Sequence, residues 1–314
     1  MSRFVYVSPD SNTPTGGIKV IYKHVELLNA LGVEACVMHF KRGFRCDWFA
    51  NTAPVICLEE LRTTDFVMVP EIMTVLGNQL HGMGMRYGMF VQNGYLVLPT
   101  ASIEEVTRCY RNASAILSIS DDTTGMLSGI FPELSGKIIR VKYSVDTERF
   151  KPAEKTRTVT FMPRKLPQHA SNVVPWLAKS FPAWRFQPLH GMTEDQVAQA
   201  LAGSRVFLAF SDFEGCPVPP IEAALAGNMV LGYPGWGGQE YWKEPNFRAV
   251  NFGDVRDFVR KFHEVSAFAT QPGIDRILAP GMAQLAHAYG LQAETDLLLH
   301  ATAQIRLAQL REAA

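Results

Sequence analysis

The segment from Ser204 to Trp242 constrains the fold most, because it alternates runs of strand length with one of helix length. Val206–Phe210 is a short apolar run that ends in two polar residues, as a buried strand does. Pro219 and Pro220 stand just ahead of a helical run over 221–226, where proline suits the first turn. A glycine and an asparagine end that helix, and a second apolar run follows. This alternation predicts a parallel sheet of an α/β fold.

The amino-terminal part of the chain has the same alternation. Phe4–Val7 predicts a buried strand, 18–31 a helix and 33–40 a second strand. Gly16 and Gly17, between the first strand and the helix, let a ligand approach the backbone closely, although an ordinary turn would also use them. The order of strand, glycine loop, helix and strand predicts a Rossmann-like domain. A G-x-G-x-x-G fingerprint is absent, which disfavours a nicotinamide cofactor.

Two carboxylates in the segment 204–242 suggest a ligand site. Glu214 follows a predicted strand, at the carboxyl edge where open α/β sheets bind ligands. Glu222 lies near the start of the next helix, where free N–H groups and the helix dipole favour phosphates. A ligand with a sugar at one end and a ribose at the other could contact both. Glu222 alone could merely offset the dipole, but Glu214 and the glycine-rich loop 235–240 would then stay unexplained.

This pattern resembles the donor site of retaining glycosyltransferases of the GT-B fold, which have two Rossmann-like domains facing a cleft. The matching positions are Glu214, Glu222–Ala223, Ala226–Gly227 and Gly237–Gly238–Gln239–Glu240. The resemblance implies that Glu214 contacts the donor sugar and that Glu222 binds the ribose hydroxyls. We assign Gly215, Cys216 and Pro217, in the turn after Glu214, to donor binding as well.

Arg164 and Lys165 follow a predicted strand over 158–162. Two cations there could neutralise a diphosphate leaving group, arginine as a fork and lysine as a point charge. The resembling family places an arginine and a lysine on this loop. We therefore predict that Arg164, Lys165 and Glu214 are the catalytic residues. Which cation reaches the phosphates stays open, as does the alternative of two solvated charges.

The other predicted donor-binding residues follow strands or precede helices. Gln92 and Asn93 end a strand over 87–91, and their amides can bond sugar hydroxyls without bringing charge. Which of the two takes the place of the family's sugar-contacting residue stays open. In the resembling family the amino-terminal loop of Gly16 and Gly17 faces the donor phosphates. The loop of Gly191 and Met192 would lie against the base.

The segment 142–152 resembles the linker between the two domains of that family. We therefore predict an acceptor-side Rossmann-like domain over 1–148 and a nucleotide-sugar-binding domain over 149–290. A carboxy-terminal helix over 291–314 is expected to pack back on the first domain.

Composition limits the partners and the compartment. Hydrophobic residues are 47% of the 314 residues, charged residues 19%, and the formal net charge is zero. This balance gives no reason to expect nucleic acid as a partner. Five cysteines without a C-x-x-C pair argue against disulfides and zinc. No signal peptide or membrane span is visible, which predicts a cytoplasmic protein. The basic and aromatic segment 41–49 leaves open a peripheral contact with the inner face of a membrane, with a solvated loop as the alternative.

The predicted function is transfer of a sugar from a UDP-, GDP- or dTDP-linked donor to a glycan or other small acceptor. The resemblance implies retention of configuration, and no D-x-D motif or cofactor site is visible, so a metal is not expected to be required. A nucleotide-sugar epimerase, a sugar phosphorylase and a catalytically silent nucleotide-sugar-binding protein are the alternatives. The sequence leaves the donor, the acceptor and the oligomeric state open.

Overall fold

The structure is a computed structural model that describes residues 2–312. The first sheet is parallel and has the strand order β3-β2-β1-β4-β5-β6-β7. Its strands are short apolar runs that are largely buried, as both-sided coverage by helices requires. They are β1 Phe4–Val7, β2 Ala35–His39, β3 Val55–Cys57, β4 Phe66–Pro70, β5 Arg86–Val91, β6 Ala115–Ser118 and β7 Ile138–Arg140.

Helices connect these strands, and several begin at side-chain caps. Ser102 and Glu105 form a capping box at one helix start, and Ser120 accepts the Thr123 N–H at another. The helices are α1 Gly16–Ala30, α2 Thr74–Gly82, α3 Ile103–Asn112 and α4 Asp121–Ile130. Short 3₁₀ turns lie at Leu58–Glu60, Glu71–Met73, Gly94–Leu96, Leu98–Thr100 and Pro132–Lys137.

The second sheet is also parallel, with the order β12-β11-β10-β8-β9. Its strands are β8 Thr158–Phe161, β9 Arg185–Pro188, β10 Val206–Ser211, β11 Met229–Pro234 and β12 Phe247–Ala249. The remaining helices are α5 Pro167–Ser180, α6 Glu194–Gly203, α7 Pro219–Leu225, α8 Val255–Phe268, α9 Ile274–Ala288 and α10 Leu291–Glu312. One face of the sheet is packed with aromatic rings, in which Phe258 stacks on Phe210 and Tyr233 meets Phe258 edge-on.

The chain divides into two compact units. The first unit runs to Tyr143 and takes up the chain again from Glu294, and the second unit is Ser144–Ala293. The division falls inside the predicted linker over 142–152, while the domain assignment 1–148, 149–290 and 291–314 stays a prediction.

The long carboxy-terminal helix α10 packs on the first unit, as predicted. Glu294 pairs with Lys23 of α1 at 3.0 Å, and Leu298 and Ile305 are buried. The guanidinium of Arg306 lies over the ring of Phe4. Within residues 2–312, no helix combines the length and apolar character needed to cross a bilayer.

Candidate active site

The carboxyl edge of the second sheet joins two of the predicted catalytic side chains. Lys165 follows β8 and Glu214 follows β10, and these strands are neighbours in the sheet. The Lys165 Nζ lies 2.9 Å from the Glu214 Oε2, with the two side chains 36% and 24% exposed. A cation and a carboxylate are thus held together, half in solvent, where an α/β sheet binds its ligands. A depression beside them is lined by Met162, Ser211 and Pro217.

The glycine-rich loop after β11 packs directly on the Glu214 turn. A Cβ atom on Gly237 would lie 1.9 Å from the carbonyl oxygen of Gly215, and one on Gly238 would lie 2.1 Å from that of Pro234. The Gly237 N–H also donates to the carbonyl oxygen of Glu214 at 3.2 Å. Glycine is therefore needed at 237, where a side chain would push the Glu214 turn away, and at 238, where it would meet the backbone at the end of β11.

Two tyrosine hydroxyls hold the same loops. The Tyr241 hydroxyl donates to the carbonyl oxygen of Pro217 at 2.5 Å, and the Tyr289 hydroxyl donates to Glu240 Oε1 at 2.5 Å. Burial raises the pKa of the Tyr241 hydroxyl well above its ordinary value, so it stays a donor. The turn 214–217 is thus fixed at both ends, by Gly237 at Glu214 and by Tyr241 at Pro217. Gly215 and Pro217 are buried within it, and Cys216 is half-buried.

The expectation of free N–H groups at the start of α7 is wrong. The helix begins with Pro219 and Pro220, which have no N–H. The N–H groups of Ile221 and Glu222 both donate to the carbonyl oxygen of Val218. The first four residues of α7 therefore have no donor left for an anion, although the dipole of the helix still favours one. Glu222 lies half-buried in this first turn.

The chain as a whole is similar to several known proteins. No family model matches the chain. An alpha-1,6-glucosyltransferase of Actinobacillus pleuropneumoniae serotype 7 (strain AP76) is 26% identical over 240 residues, which are 71% of this chain and 70% of that protein.

Solved structures show the same fold. HepE of Anabaena in complex with UDP has a TM-score of 0.72 at 10% identity, covering 96% of this chain and all of that one. Sucrose-phosphate synthase of Thermosynechococcus elongatus has a TM-score of 0.71 at 13% identity and covers both chains fully. The lipopolysaccharide outer core galactosyltransferase WaaB has a TM-score of 0.68 at 13% identity, covering 96% and 99%. The chain therefore has the GT-B fold, with its two parallel sheets of seven and five strands.

The two cations that follow β8 differ in their surroundings. Arg164 is exposed and has no ion-pair partner among residues 2–312, whereas Lys165 is paired. Leu166, the next residue, has a φ of 46°, a left-handed conformation that costs a leucine about 1–2 kcal/mol. The surrounding structure holds this strained conformation in the turn that carries Lys165 into α5, which starts at Pro167.

In the first unit the structure brings together two of the predicted donor-binding residues, Gly17 and Gln92. The Gln92 Nε2 donates to the carbonyl oxygen of Gly17 at 3.3 Å, and the Tyr143 hydroxyl donates to Gln92 Oε1 at 3.1 Å. A Cβ atom on Gly17 would lie 3.3 Å from that Oε1, so the side chain of Gln92 packs where only glycine fits well. Gly16 is exposed beside it, with open space around its Cα.

The remaining predicted donor-binding residues are Asn93, in the turn after β5, and Gly191 and Met192, in the loop after β9. The Asn93 side chain accepts the N–H of Tyr95 at 3.0 Å and caps its own turn. Gly191 is exposed with a φ of 64°, and Met192 is half-buried against the core of the second unit. Both lie at the carboxyl end of β9, the edge strand beside β8.

Sequence reasoning missed Glu71, which the structure places next to Gln92 and Asn93. It follows β4 directly, is 4% exposed, and its Oε1 accepts the N–H of Asn93 at 2.9 Å. A glutamate placed straight after an apolar run was the available signal. Its burial depends on β4 and β5 being neighbours, which that signal alone does not establish.

Proposed function

We propose that this protein is a glycosyltransferase, which moves a hexosyl group from a nucleoside-diphosphate sugar to an acceptor hydroxyl, with retention of configuration and without a required metal. The observation that carries the proposal is the Lys165–Glu214 pair at 2.9 Å on neighbouring strand ends. Lys165 is suited to bind a diphosphate, and Glu214 is suited to bind sugar hydroxyls. Because these side chains are in contact, they could bind the adjoining diphosphate and sugar of one donor.

The names of similar proteins support this donor class. The curated relative is an alpha-1,6-glucosyltransferase, and HepE has been crystallised with UDP-glucose. Starch synthase IV of Arabidopsis thaliana, another structure of this fold, was bound to ADP and acarbose. These names favour a glucosyl or related hexosyl donor.

Stabilisation of the departing diphosphate is assigned to Lys165 and Arg164. The start of α7 has no free N–H group in its first four residues, so positive side chains must carry most of this task. Lys165 is already placed by its pair with Glu214, and the exposed Arg164 can swing onto the phosphates. Two cations on one loop are the chain's own substitute for a metal ion.

The proposed reaction needs no separate base. The bond between the anomeric carbon and the diphosphate oxygen breaks, and the acceptor oxygen bonds to the same face of that carbon. The acceptor's proton passes to the diphosphate oxygen that has just been released. Glu214 holds the sugar hydroxyls and stabilises positive charge on the ring, and it forms no covalent bond.

The other contacts follow the predicted assignment. Glu222 binds the ribose hydroxyls, and the backbone of Gly191 and Met192 lies against the base. Gly16, Gly17, Gln92 and Asn93 serve the donor from the first unit. The hydrogen bond of 3.3 Å between Gln92 and Gly17 supports treating these two residues as one surface.

The experiment is a donor screen followed by product analysis. UDP-, GDP- and dTDP-sugars are compared by thermal shift, since a bound donor raises the unfolding temperature with the logarithm of its concentration over Kd. The best donor is then incubated with acceptor sugars, with and without a chelator, and the anomeric configuration is read by NMR. Transfer that requires Mg²⁺ or Mn²⁺, or an inverted product, would refute those parts of the proposal. Interconversion of donor sugars, or binding without turnover, would instead indicate an epimerase or a silent binding protein.

We further propose a peripheral contact between the first unit and the inner face of a membrane, with the protein in the cytoplasm. Exposed apolar side chains lie on adjoining short elements of this unit: Ile72, Val75, Leu96, Leu98 and Ile103. Such a surface can insert shallowly among lipid headgroups. Flotation with anionic and neutral vesicles tests this, and a protein that stays at the bottom of both gradients contradicts it.

A further inference from the structure

A buried carboxyl group lies at the carboxyl end of β4. Glu71 is 4% exposed, and among residues 2–312 no cation pairs with it. Buried carboxylates are rare unless hydrogen bonds satisfy them. Here the bonds come from one turn, because the Oε1 accepts the N–H of Asn93 at 2.9 Å and the N–H of Gln92 also favours the charged form.

That turn carries the amide of Gln92. The side chain of Gln92 reaches the carbonyl oxygen of Gly17 at 3.3 Å and accepts from the Tyr143 hydroxyl at 3.1 Å. Its backbone is held by Glu71 and its side chain by two other segments. The direction of the Gln92 amide therefore depends on a carboxylate that does not itself reach the surface.

We propose that Glu71 is a positioning residue for glycosyl transfer, whose carboxylate holds the Gln92–Asn93 turn so that the Gln92 amide stays beside Gly17. This inference rests on the proposed function, in which Gln92 and Gly17 serve the donor. The alternative is that Glu71 only stabilises the core of the first unit.

Burial raises the pKa of the Glu71 carboxyl to about 7, although the backbone N–H groups of Gln92, Glu71 and Asn93 lower it. Titratable side chains on neighbouring elements include Tyr6 of β1, Arg86 and Tyr87 of β5, His81 of α2, Tyr95, and the α3 residues Glu104, Glu105, Arg108, Cys109, Tyr110 and Arg111. None of them is a cause of the shift at Glu71. The Tyr110 hydroxyl is buried without a hydrogen-bond partner within residues 2–312, and the Glu71 charge helps to raise its pKa.

The pH dependence of stability distinguishes a positioning role of Glu71 from a role in stabilising the core. The folded protein keeps the Glu71 proton to a higher pH than the unfolded chain does, so this group's contribution to stability is lost as the pH rises through about 7. Hydrogen bonds from N–H groups to a charged carboxylate are about twice as strong as those to a neutral group. The ionised form therefore holds the turn best but is the less stable form of the protein.

The test is Glu71→Gln, assayed with the donor that the screen identifies. At about pH 8 we expect kcat/KM to fall about tenfold, the loss of roughly one strong hydrogen bond, while the unfolding temperature stays equal or rises. Wild-type activity should fall towards that of the variant as the pH drops through about 7, and the variant should lack this transition. A variant that is less stable than wild type at pH 8 and keeps the transition overturns the proposal.

Two controls keep the test independent of folding and of the donor. Glu133→Gln removes an exposed carboxylate of the same unit and should leave activity and its pH profile unchanged. Hydrogen exchange needs no substrate, and the amides of Gln92 and Asn93 should exchange faster in Glu71→Gln than in wild type at the same pH. Unchanged exchange overturns the proposal even if no donor is found.

Gln92→Ala separates this inference from the proposed function. If Glu71 acts through the amide, this variant loses the transition near pH 7 while Glu71 is intact, a measurement that also serves if Glu71→Gln fails to fold. A transition that persists in Gln92→Ala overturns the positioning role. If Gln92→Ala transfers sugar as wild type does, the assignment of Gln92 to the donor fails, and the inference fails with it.

Discussion

Replacing Glu214 by glutamine should change the affinities for a free nucleoside diphosphate and for the intact donor in opposite directions. The Lys165 Nζ lies 2.9 Å from the Glu214 carboxylate. A diphosphate must compete for that lysine, and it also meets the negative charge of Glu214. Glu214→Gln removes both obstacles. The intact donor, in contrast, loses a charge-assisted hydrogen bond to its sugar hydroxyls.

The magnitude follows from the exposure of the pair. With side chains 36% and 24% exposed, solvent screens the attraction, and such ion pairs contribute roughly 0.2–1 kcal/mol. Freeing Lys165 should therefore raise the affinity for the nucleoside diphosphate by up to about fivefold, since about 1.4 kcal/mol is a factor of ten. The lost sugar contact costs about 1.5–3 kcal/mol, so donor affinity should fall about twofold or more even after that gain.

The assay is calorimetry with both ligands on wild type, Glu214→Gln, Lys165→Met and the double variant. In the Lys165→Met background, Glu214→Gln should no longer raise the affinity for the diphosphate, because the competing cation is gone. Asp257→Asn is the matched control, since Asp257 pairs with Lys261 at 2.9 Å on α8. Equal losses for both ligands in Glu214→Gln would place Glu214 on the nucleotide and refute this reasoning.

Three further variants test the rest of the second unit. Tyr241→Phe removes the hydrogen bond to the Pro217 carbonyl oxygen, so turnover with the intact nucleotide sugar should fall about five- to thirtyfold, by about 1–2 kcal/mol. The affinity for free diphosphate should stay close to that of wild type. Turnover equal to that of wild type would contradict the role of this hydrogen bond. Gly237→Ala places a Cβ against Gly215 and should abolish transfer while the protein stays folded by circular dichroism; full activity would show that the loops need not touch. Glu222→Ala should weaken diphosphate and donor alike by about 1–3 kcal/mol, and calorimetry that finds diphosphate binding unchanged would remove Glu222 from the ribose.

Most strands and helices of this fold could be predicted, because the spacing of apolar residues and the positions of turn-forming residues depend on local structure. The strand predicted over 206–210 is Val206–Ser211, and the helix predicted over 18–31 is Gly16–Ala30. The helix predicted over 221–226 begins earlier, at Pro219. That shift of two residues removed the expected N–H donors, since the prolines occupy the very positions from which donors would point.

Contacts between strand ends were less predictable. The Lys165–Glu214 pair requires β8 and β10 to be neighbours with β9 outside them, an order set by crossovers that periodicity does not reveal. Resemblance assigned both residues to one site, but not the ion pair. Glu71 was missed for the same reason, because its burial comes from β5 and from the turn that follows it.

The proposed donor-binding side chains Glu214 and Gln92, one at each sheet, are held in place differently. At the second sheet, Glu214 is half in solvent, and its turn is fixed by backbone contact with Gly237 and by the Tyr241 hydroxyl. Its charge is paired with Lys165, which we expect a bound diphosphate to take over. At the first sheet, Gln92 is neutral, and the charge that orients it is buried in Glu71. A movable charge suits a group that must respond as the leaving diphosphate gains charge, whereas a buried one suits an amide that must keep one direction. Transfer should therefore depend on ionic strength through the exposed Lys165–Glu214 pair and on pH through Glu71, because salt screens exposed charges far more than buried ones.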